Sequence, residues 1–231
     1  MGKTGGSAVI GPVRTINFSV TTRCSRRCPS CCSGVRAGKE GRDQSIEAIA
    51  ATARILGPVE IISLYGGEPS FHADFPRLAA RAREIFEAKQ ITIQTNGYGF
   101  GKFPESFLNF NRVIVSAYTE RTYPGCPSNA AEIETFRQFL RGQDQEGKLV
   151  VNDVVHLPDD PGLDGVPLKD RGRPCYRQEM PTISYFDGLL YPCCTGAGIP
   201  GAVGIPVTAA WREEIVNVPL PCKTCLFSVP A

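Results

Sequence analysis

The sequence has few histidines and little net charge. Of its 231 residues only His72 and His156 are histidines, and neither sits in a pattern typical of a catalytic triad or a metal site. The formal charge of +2 argues against a protein that binds nucleic acid or a membrane surface. No apolar run reaches the ~18 residues that a spanning helix needs, and the amino terminus lacks the apolar stretch of a signal peptide. We therefore expect a cytoplasmic protein without nucleic-acid or membrane partners.

Cysteine, in contrast, is abundant, with ten residues in the chain. Without a secretion signal, disulfides are improbable, so this number predicts metal or redox chemistry. Cys24, Cys28 and Cys31 follow an apolar run, residues 15–20, at the spacing C-x-x-x-C-x-x-C. Such a loop is compatible with half of a zinc site or with part of an iron–sulfur ligand set. Three thiolates on a cubane cluster would leave one iron open to a small chelating molecule.

A second motif ends another β-rich apolar run. Residues 59–65 lead into Gly66-Gly67-Glu68-Pro69. Glycines allow a backbone to approach a ligand closely, and a glutamate with nearby carbonyl groups can accept hydrogen bonds from an ammonium group. The two motifs in this order, each after a predicted strand, point to a single site.

Together the two motifs resemble the signature of the radical S-adenosylmethionine (radical SAM) enzymes. The resemblance implies a 4Fe–4S cluster on Cys24, Cys28 and Cys31, with SAM chelating the open iron and Gly66, Gly67, Glu68 and Pro69 positioning its amino group. Asn96 and Ser116, at the ends of the third and fourth predicted strands, fall where relatives contact ribose or methionine. Ser30 departs from the family, which usually has an aromatic residue before the third cysteine to pack on adenine.

Strand-like runs alternate with helical patterns along the first two thirds of the chain, which predicts an α/β fold with a parallel sheet. We place strands at 13–20, 59–65, 90–95, 112–117 and 148–157, and helices around 46–56, 74–86 and 129–140. This alternation predicts a partial (β/α) TIM-like barrel of about five to six parallel strands, with ligand sites at the carboxyl ends of the strands. We expect a flexible terminus over 1–12, the barrel over 13–160 and a second subdomain over 161–231.

The second subdomain holds a further set of cysteines. Cys175 and Cys193 flank a predicted β-hairpin over 182–191 with its turn at Asp187-Gly188, and Cys222-x-x-Cys225 follows. This order resembles the twitch, a short form of the SPASM extension of radical SAM enzymes. The resemblance implies an auxiliary 4Fe–4S cluster on these four cysteines and a hairpin that caps the opening of the barrel. A zinc site with four thiolates is the alternative. The remaining cysteines, Cys32, Cys126 and Cys194, receive no role.

The resemblance implies an enzyme that cleaves SAM to a 5′-deoxyadenosyl radical and takes a hydrogen atom from a substrate. Two 4Fe–4S clusters and SAM are the expected cofactors, and a reducing flavodoxin or ferredoxin is the expected electron source. A cluster with four thiolates suits electron acceptance, so we expect net oxidation, first of a small biosynthetic metabolite. The alternatives are a maturase that crosslinks a peptide substrate and a non-catalytic iron–sulfur or zinc redox module.

Overall fold

The computed structural model describes residues 13–26, 28, 31, 33, 41–120, 125–152, 182–193 and 202–219. Within these residues the chain forms a single sheet of eight strands. The strands are β1 Thr15–Thr21, β2 Val59–Gly66, β3 Ala88–Thr95, β4 Arg112–Ser116, β5 Leu149–Asn152, β6 Thr182–Phe186, β7 Leu189–Tyr191 and β8 Ile205–Pro206.

The sheet has the order β5-β4-β3-β2-β1-β6-β7-β8. All pairs from β5 through β1 to β6 are parallel, whereas β6–β7 and β7–β8 are antiparallel. The expected α/β partial barrel is thus confirmed, with six parallel strands among the described residues. Because the strands are parallel, their carboxyl ends meet at one edge of the sheet. We call this the site edge.

Three of the described α-helices connect parallel strands, and a fourth follows β8. They are α1 Ile46–Leu56, α2 Phe75–Ile85, α3 Ala130–Gly142 and the short α4 Trp211–Ile215, with 3₁₀ turns at Pro69–Phe71, Pro104–Asn109 and Glu146–Lys148. The Ser45 hydroxyl accepts a hydrogen bond from the Ala48 amide and caps α1, and Gly57 ends that helix with a φ of 66°. The predicted helices are confirmed. Their apolar residues recur at helical spacing and face the sheet.

Phenylalanine side chains and one tryptophan fix the helices on the sheet. The rings of Phe100 and Phe136 stack at 4.0 Å between centroids, and Phe107 lies 5.2 Å from Phe75 of α2. The indole of Trp211 is buried and donates a hydrogen bond to the carbonyl of Leu56, the last residue of α1. This bond ties α4 to α1 and satisfies a carbonyl that the helix end leaves free.

The predicted hairpin is present, with a turn in which Asp187 and Gly188 both have positive φ angles, as a two-residue Asp-Gly turn requires. That the hairpin caps the barrel opening stays a prediction. Strand β6 pairs along β1, with Thr15 opposite Thr182 and Phe18 opposite Tyr185. The physical reason is that β1 is buried along its whole length and would otherwise leave a row of backbone groups unpaired.

Several expectations lie outside the described residues. They are the flexible terminus over 1–12, the carboxyl half of the predicted strand 148–157, and the boundary between residues 160 and 161. Among the described helices, none is both long and apolar enough to cross a membrane.

The turn after β2 is held against the loop after β1 by backbone hydrogen bonds. The amide of Gly67 donates to the carbonyl of Thr21 at 2.8 Å, and the amide of Glu68 donates to the carbonyl of Arg23 at 2.7 Å. A Cβ on Gly67 would overlap the carbonyl oxygen of Arg23, and one on Gly66 would overlap that of Thr21. The two glycines therefore permit close approach of the cysteine loop itself.

Replacing Gly67 by Ala should lower the free energy of unfolding by at least ~2 kcal/mol, because neither backbone segment can move away without breaking these hydrogen bonds. Urea denaturation measures the change. The matched control is Gly101→Ala, since a Cβ there meets nothing within 4 Å, and it should stay within about 1 kcal/mol of the parent. Equal stabilities of the two variants would contradict this close-approach account.

Candidate active site

The three cysteines of the first motif lie in the loop that leaves β1 at the site edge. Cys28 is buried, and Cys24 and Cys31 are half-buried. Each sulfur has a polar neighbour: the Arg26 amide donates to the Cys24 Sγ at 3.4 Å, the Tyr118 hydroxyl lies 3.3 Å from the Cys28 Sγ, and the Ser33 hydroxyl lies 3.6 Å from the Cys31 Sγ. The loop therefore presents its thiols in a partly polar, partly closed environment.

Burial opposes ionisation of Cys24 and Cys28. The pKa of Cys24 is raised to about 12, first by burial and also by the neighbouring Glu68, Cys28 and Cys31, while a hydrogen bond from the Arg26 amide lowers it. Burial likewise raises the pKa of Cys28 to about 11. Thiolates at these positions need a positive charge beside them, and bound metal supplies it. The donor set thus fits a metal cluster.

In the described part of the chain, no three His, Cys, Asp or Glu side chains are arranged to hold a metal ion. In an iron–sulfur cluster, however, each thiolate binds its own iron atom, so three sulfurs need not meet at one point. Cys24, Cys28 and Cys31 lie within eight consecutive residues of one loop. This spacing is compatible with a cluster of several irons.

The carboxylate of Glu68 is fully buried and accepts four hydrogen bonds. Its Oε1 accepts from the amide and the hydroxyl of Ser70 and from the hydroxyl of Thr95, and its Oε2 accepts from the amide of Asn96 at 2.6 Å. Burial raises the pKa of Glu68, while these hydrogen bonds lower it. The side chain thus ties the turn after β2 to the end of β3.

Asn96 and Ser116 lie where the sequence predicted them, directly after β3 and at the end of β4. The Asn96 amide nitrogen faces the cysteine loop, 3.4 Å from the Ser25 Oγ and 3.9 Å from the Cys24 Sγ. Asn129 joins the two strand ends, because its Nδ2 donates to the carbonyls of Asn96 and Ser116 at 2.9 and 2.8 Å. Asn129 stands directly before α3, where its residue type favours a helix cap, but its side chain makes no capping bond to the helix.

Tyr118 links the end of β4 to the cysteine loop. The Arg26 guanidinium lies 4.4 Å from the centre of the Tyr118 ring and donates a hydrogen bond to the carbonyl of Pro127. The sequence did not predict a role for Tyr118, because its position after a strand is its only signal in the sequence.

A cavity of about 630 Å³ lies beside the loop. Its wall is formed by Ser25 and Arg26 of the loop, residues 96–98 after β3, residues 125–127 and Glu132. Cys126, to which the sequence gave no role, lies in this wall and is close enough to Cys28 to raise the pKa of that thiol. The structure therefore brings a fourth thiol to the site.

The second cysteine set is described only at Cys193. This residue follows β7, and its carbonyl accepts a hydrogen bond from the Ser184 hydroxyl at 2.8 Å. Ser184 pairs with Asn17, four residues before the end of β1, and with Tyr191 of β7. Cys175, Cys222, Cys225, Cys32 and Cys194 lie outside the described residues. His72 has a structural role, with its ring bonded to the carbonyl of Gln44 and the amide of Asp74.

Comparison with known proteins identifies relatives of part of the chain. Residues 18–117 match the family model of the radical SAM superfamily. GTP 3',8-cyclase of Acidothermus cellulolyticus is 33% identical over 119 residues, which are 47% of this chain and 33% of that protein. Molybdenum cofactor biosynthesis protein 1 of Drosophila melanogaster is 35% identical over 86 residues, which are 36% of this chain and 15% of that protein. The chain thus spans a third or less of these two relatives.

Among solved structures, BtrN in complex with AdoMet and 2-DOIA has a similar fold, with a TM-score of 0.59 and 16% identity. The similarity covers 90% of this chain and 82% of BtrN. The matched region 18–117 contains the cysteine loop, the Gly-Gly-Glu-Pro turn and strands β2 to β4. Residues 18–117 of the chain are thus similar to the radical SAM superfamily.

Proposed function

We propose that this protein is a radical SAM oxidoreductase that cleaves SAM at the site edge and oxidises a C–H centre of a small biosynthetic metabolite. The observation that carries the proposal is the convergence of the cysteine loop, the turn set by Glu68 and a cavity of about 630 Å³ at one edge of the sheet. The match of residues 18–117 to the radical SAM superfamily implies SAM and one 4Fe–4S cluster. The electron acceptor in the proposal is an auxiliary cluster.

Cys24, Cys28 and Cys31 would hold the first cluster. When bound, the cluster supplies the electron that splits SAM into methionine and the 5′-deoxyadenosyl radical, which abstracts hydrogen from the substrate. The loop carries its ligands in a fixed relation to β2, because the amides of Gly67 and Glu68 bind the carbonyls of Thr21 and Arg23. The same residues therefore set the distance between the cluster and the SAM-binding turn.

The role of Glu68 in the proposal is to shape this turn. Its carboxylate already accepts four hydrogen bonds from Ser70, Thr95 and Asn96. We therefore assign the SAM amino group to backbone carbonyls of the turn, residues 66–69, and not to the Glu68 side chain. Asn96, in the wall of the cavity, and Ser116, at the end of β4, would contact the ribose or methionine part of SAM.

The size of the cavity supports a small-molecule substrate, because small-molecule sites occupy roughly 300–1,000 Å³. The fold of BtrN accommodates AdoMet together with 2-DOIA, and the name of the GTP 3',8-cyclases states a nucleotide substrate. Both facts favour a metabolite over the peptide of a maturase. A dry, enclosed site is also what a reactive radical requires.

The auxiliary cluster of the proposal takes Cys175, Cys193, Cys222 and Cys225 as ligands. This cluster would accept the substrate's electron. A flavodoxin or ferredoxin would reduce the first cluster. Zinc in place of the auxiliary cluster would leave the substrate radical without this acceptor.

Reduced protein reconstituted with iron and sulfide should convert SAM to 5′-deoxyadenosine and methionine, and the Cys28→Ala variant should lose this activity. The reason is that a cluster without one loop thiolate does not present its open iron to SAM. Chromatography of the nucleoside product measures the reaction. Cys32→Ala, in the same loop but outside the C-x-x-x-C-x-x-C spacing, is the matched control and should cleave SAM like the parent. Undiminished cleavage by Cys28→Ala would remove the assignment of the loop.

The Cys222→Ala variant separates the two clusters. The parent should hold about eight irons per chain, and the variant about four, because four cysteines each hold one iron of the auxiliary cluster. The variant should still cleave SAM but should not form the oxidised metabolite. Iron and sulfide assays measure the cluster content, and product analysis measures the formation of the oxidised metabolite. About four irons in the parent, or stoichiometric zinc, would contradict the second cluster, and unchanged product formation would make it structural.

A further inference from the structure

Tyr118 is the residue at the site to which neither the family motifs nor the proposed function gives a role. It is 6% exposed, and its hydroxyl oxygen lies 3.3 Å from the Sγ of Cys28. A tyrosine that touches a cluster ligand is in a position to change the properties of the cluster. The question is whether the fold holds it there.

Two anchors hold the phenol in place. The backbone amide of Tyr118 donates to the Oδ1 of Asn129 at 2.9 Å, and the same side chain binds the carbonyls at the ends of β3 and β4. On the loop side, the Arg26 guanidinium stacks on the ring and donates to the Pro127 carbonyl. The hydroxyl is thus aimed at the Cys28 sulfur by contacts from both sides.

The direction of the hydrogen bond follows from the state of the sulfur. A cysteine that ligates iron is a thiolate without a proton, so the Tyr118 hydroxyl must be the donor. Hydrogen bonds to the sulfurs of an iron–sulfur cluster help to set its reduction potential. Reduction adds one negative charge to the cluster, and a donor to a ligand sulfur stabilises the more negative state.

We propose that Tyr118 tunes the loop cluster: its hydroxyl donates to the Cys28 sulfur and makes the cluster easier to reduce. This inference rests on the proposed assignment of Cys28 as a ligand. The step it favours is a one-electron reduction by an external low-potential donor, in which no covalent bond forms or breaks and the proton stays on the phenol oxygen. Arg26 also makes the cluster easier to reduce, because its positive charge lies over the Tyr118 ring.

The Tyr118→Phe variant tests the inference, since it keeps the ring under Arg26 and removes only the hydroxyl. The parent and the variant are reconstituted anaerobically, and the reduced cluster whose electron paramagnetic resonance (EPR) signal responds to SAM is followed in a potentiometric titration. The variant should bind the same amount of iron and sulfide, and its midpoint potential should shift to a more negative value. At a fixed potential near the parent's midpoint, a smaller fraction of its cluster should be reduced.

The matched control is Tyr185→Phe. Tyr185 is also buried, and its hydroxyl donates to the Oε1 of Gln44 at 2.9 Å, away from the cysteine loop. This variant should keep the parent's midpoint potential. A change in Tyr185→Phe equal to that in Tyr118→Phe would mean that loss of any buried phenol hydroxyl produces the shift, and would overturn the inference.

An unchanged midpoint potential in Tyr118→Phe at full iron content would also overturn it. Should that variant lose its cluster, electron–nuclear double resonance on the parent in D₂O decides, because the hydroxyl should give a coupled, exchangeable deuteron at the cluster. Absence of that coupling would overturn the inference. A parent without any SAM-responsive cluster would instead overturn the proposed function.

Discussion

The structure of the site edge depends on the buried carboxylate of Glu68. A carboxylate removed from water is costly unless hydrogen bonds replace the lost solvation. Four donors from Ser70, Thr95 and Asn96 surround this one, so the turn after β2 and the end of β3 are held in a single arrangement. Any displacement of one segment from the other would leave buried polar groups unpaired.

From Glu68 a chain of hydrogen bonds reaches the cysteine loop. The backbone amide of Asn96 donates to the Oε2 of Glu68, and the carbonyl of Asn96 accepts from the Nδ2 of Asn129 at 2.9 Å. Asn129 in turn accepts from the Tyr118 amide, and the Tyr118 hydroxyl lies against Cys28. The amides of Gly67 and Glu68 also join the turn after β2 to the loop, because they donate to the carbonyls of Thr21 and Arg23. These hydrogen bonds join the segments that follow β1, β2, β3 and β4, and so define the position of the thiols before any cluster binds.

The parallel sheet and the positions of the motif residues were predictable from the sequence, because helical and strand periodicity and glycine-rich turns are local signals. Asn96 and Ser116 were placed correctly for that reason. Tertiary contacts between distant segments leave no such local pattern in the sequence. Asn129 looks like a helix cap, yet its side chain reaches a carbonyl 33 residues earlier in the sequence. The pairing of β6 with β1, more than 160 residues apart, is equally invisible to a local pattern.

For Gly66 and Gly67, too, the sequence could not predict the tertiary contact. Their presence predicted close approach of a ligand, whereas the described contacts are with the backbone of the cysteine loop. Cys126 was given no role because a lone thiol in a loop carries no signal, and only the fold brings it to Cys28. For both, the missing information was which segment packs against which.

Direct ligation of SAM to the loop cluster is the central claim of this account. Electron–nuclear double resonance on the reduced protein, with SAM that carries ¹⁵N in its amino group and ¹⁷O in its carboxylate, measures it most directly. The account predicts hyperfine coupling of both labels to the cluster, since the open iron would be chelated by these two groups. An EPR signal that SAM leaves unchanged, with no coupling to either label, would contradict it.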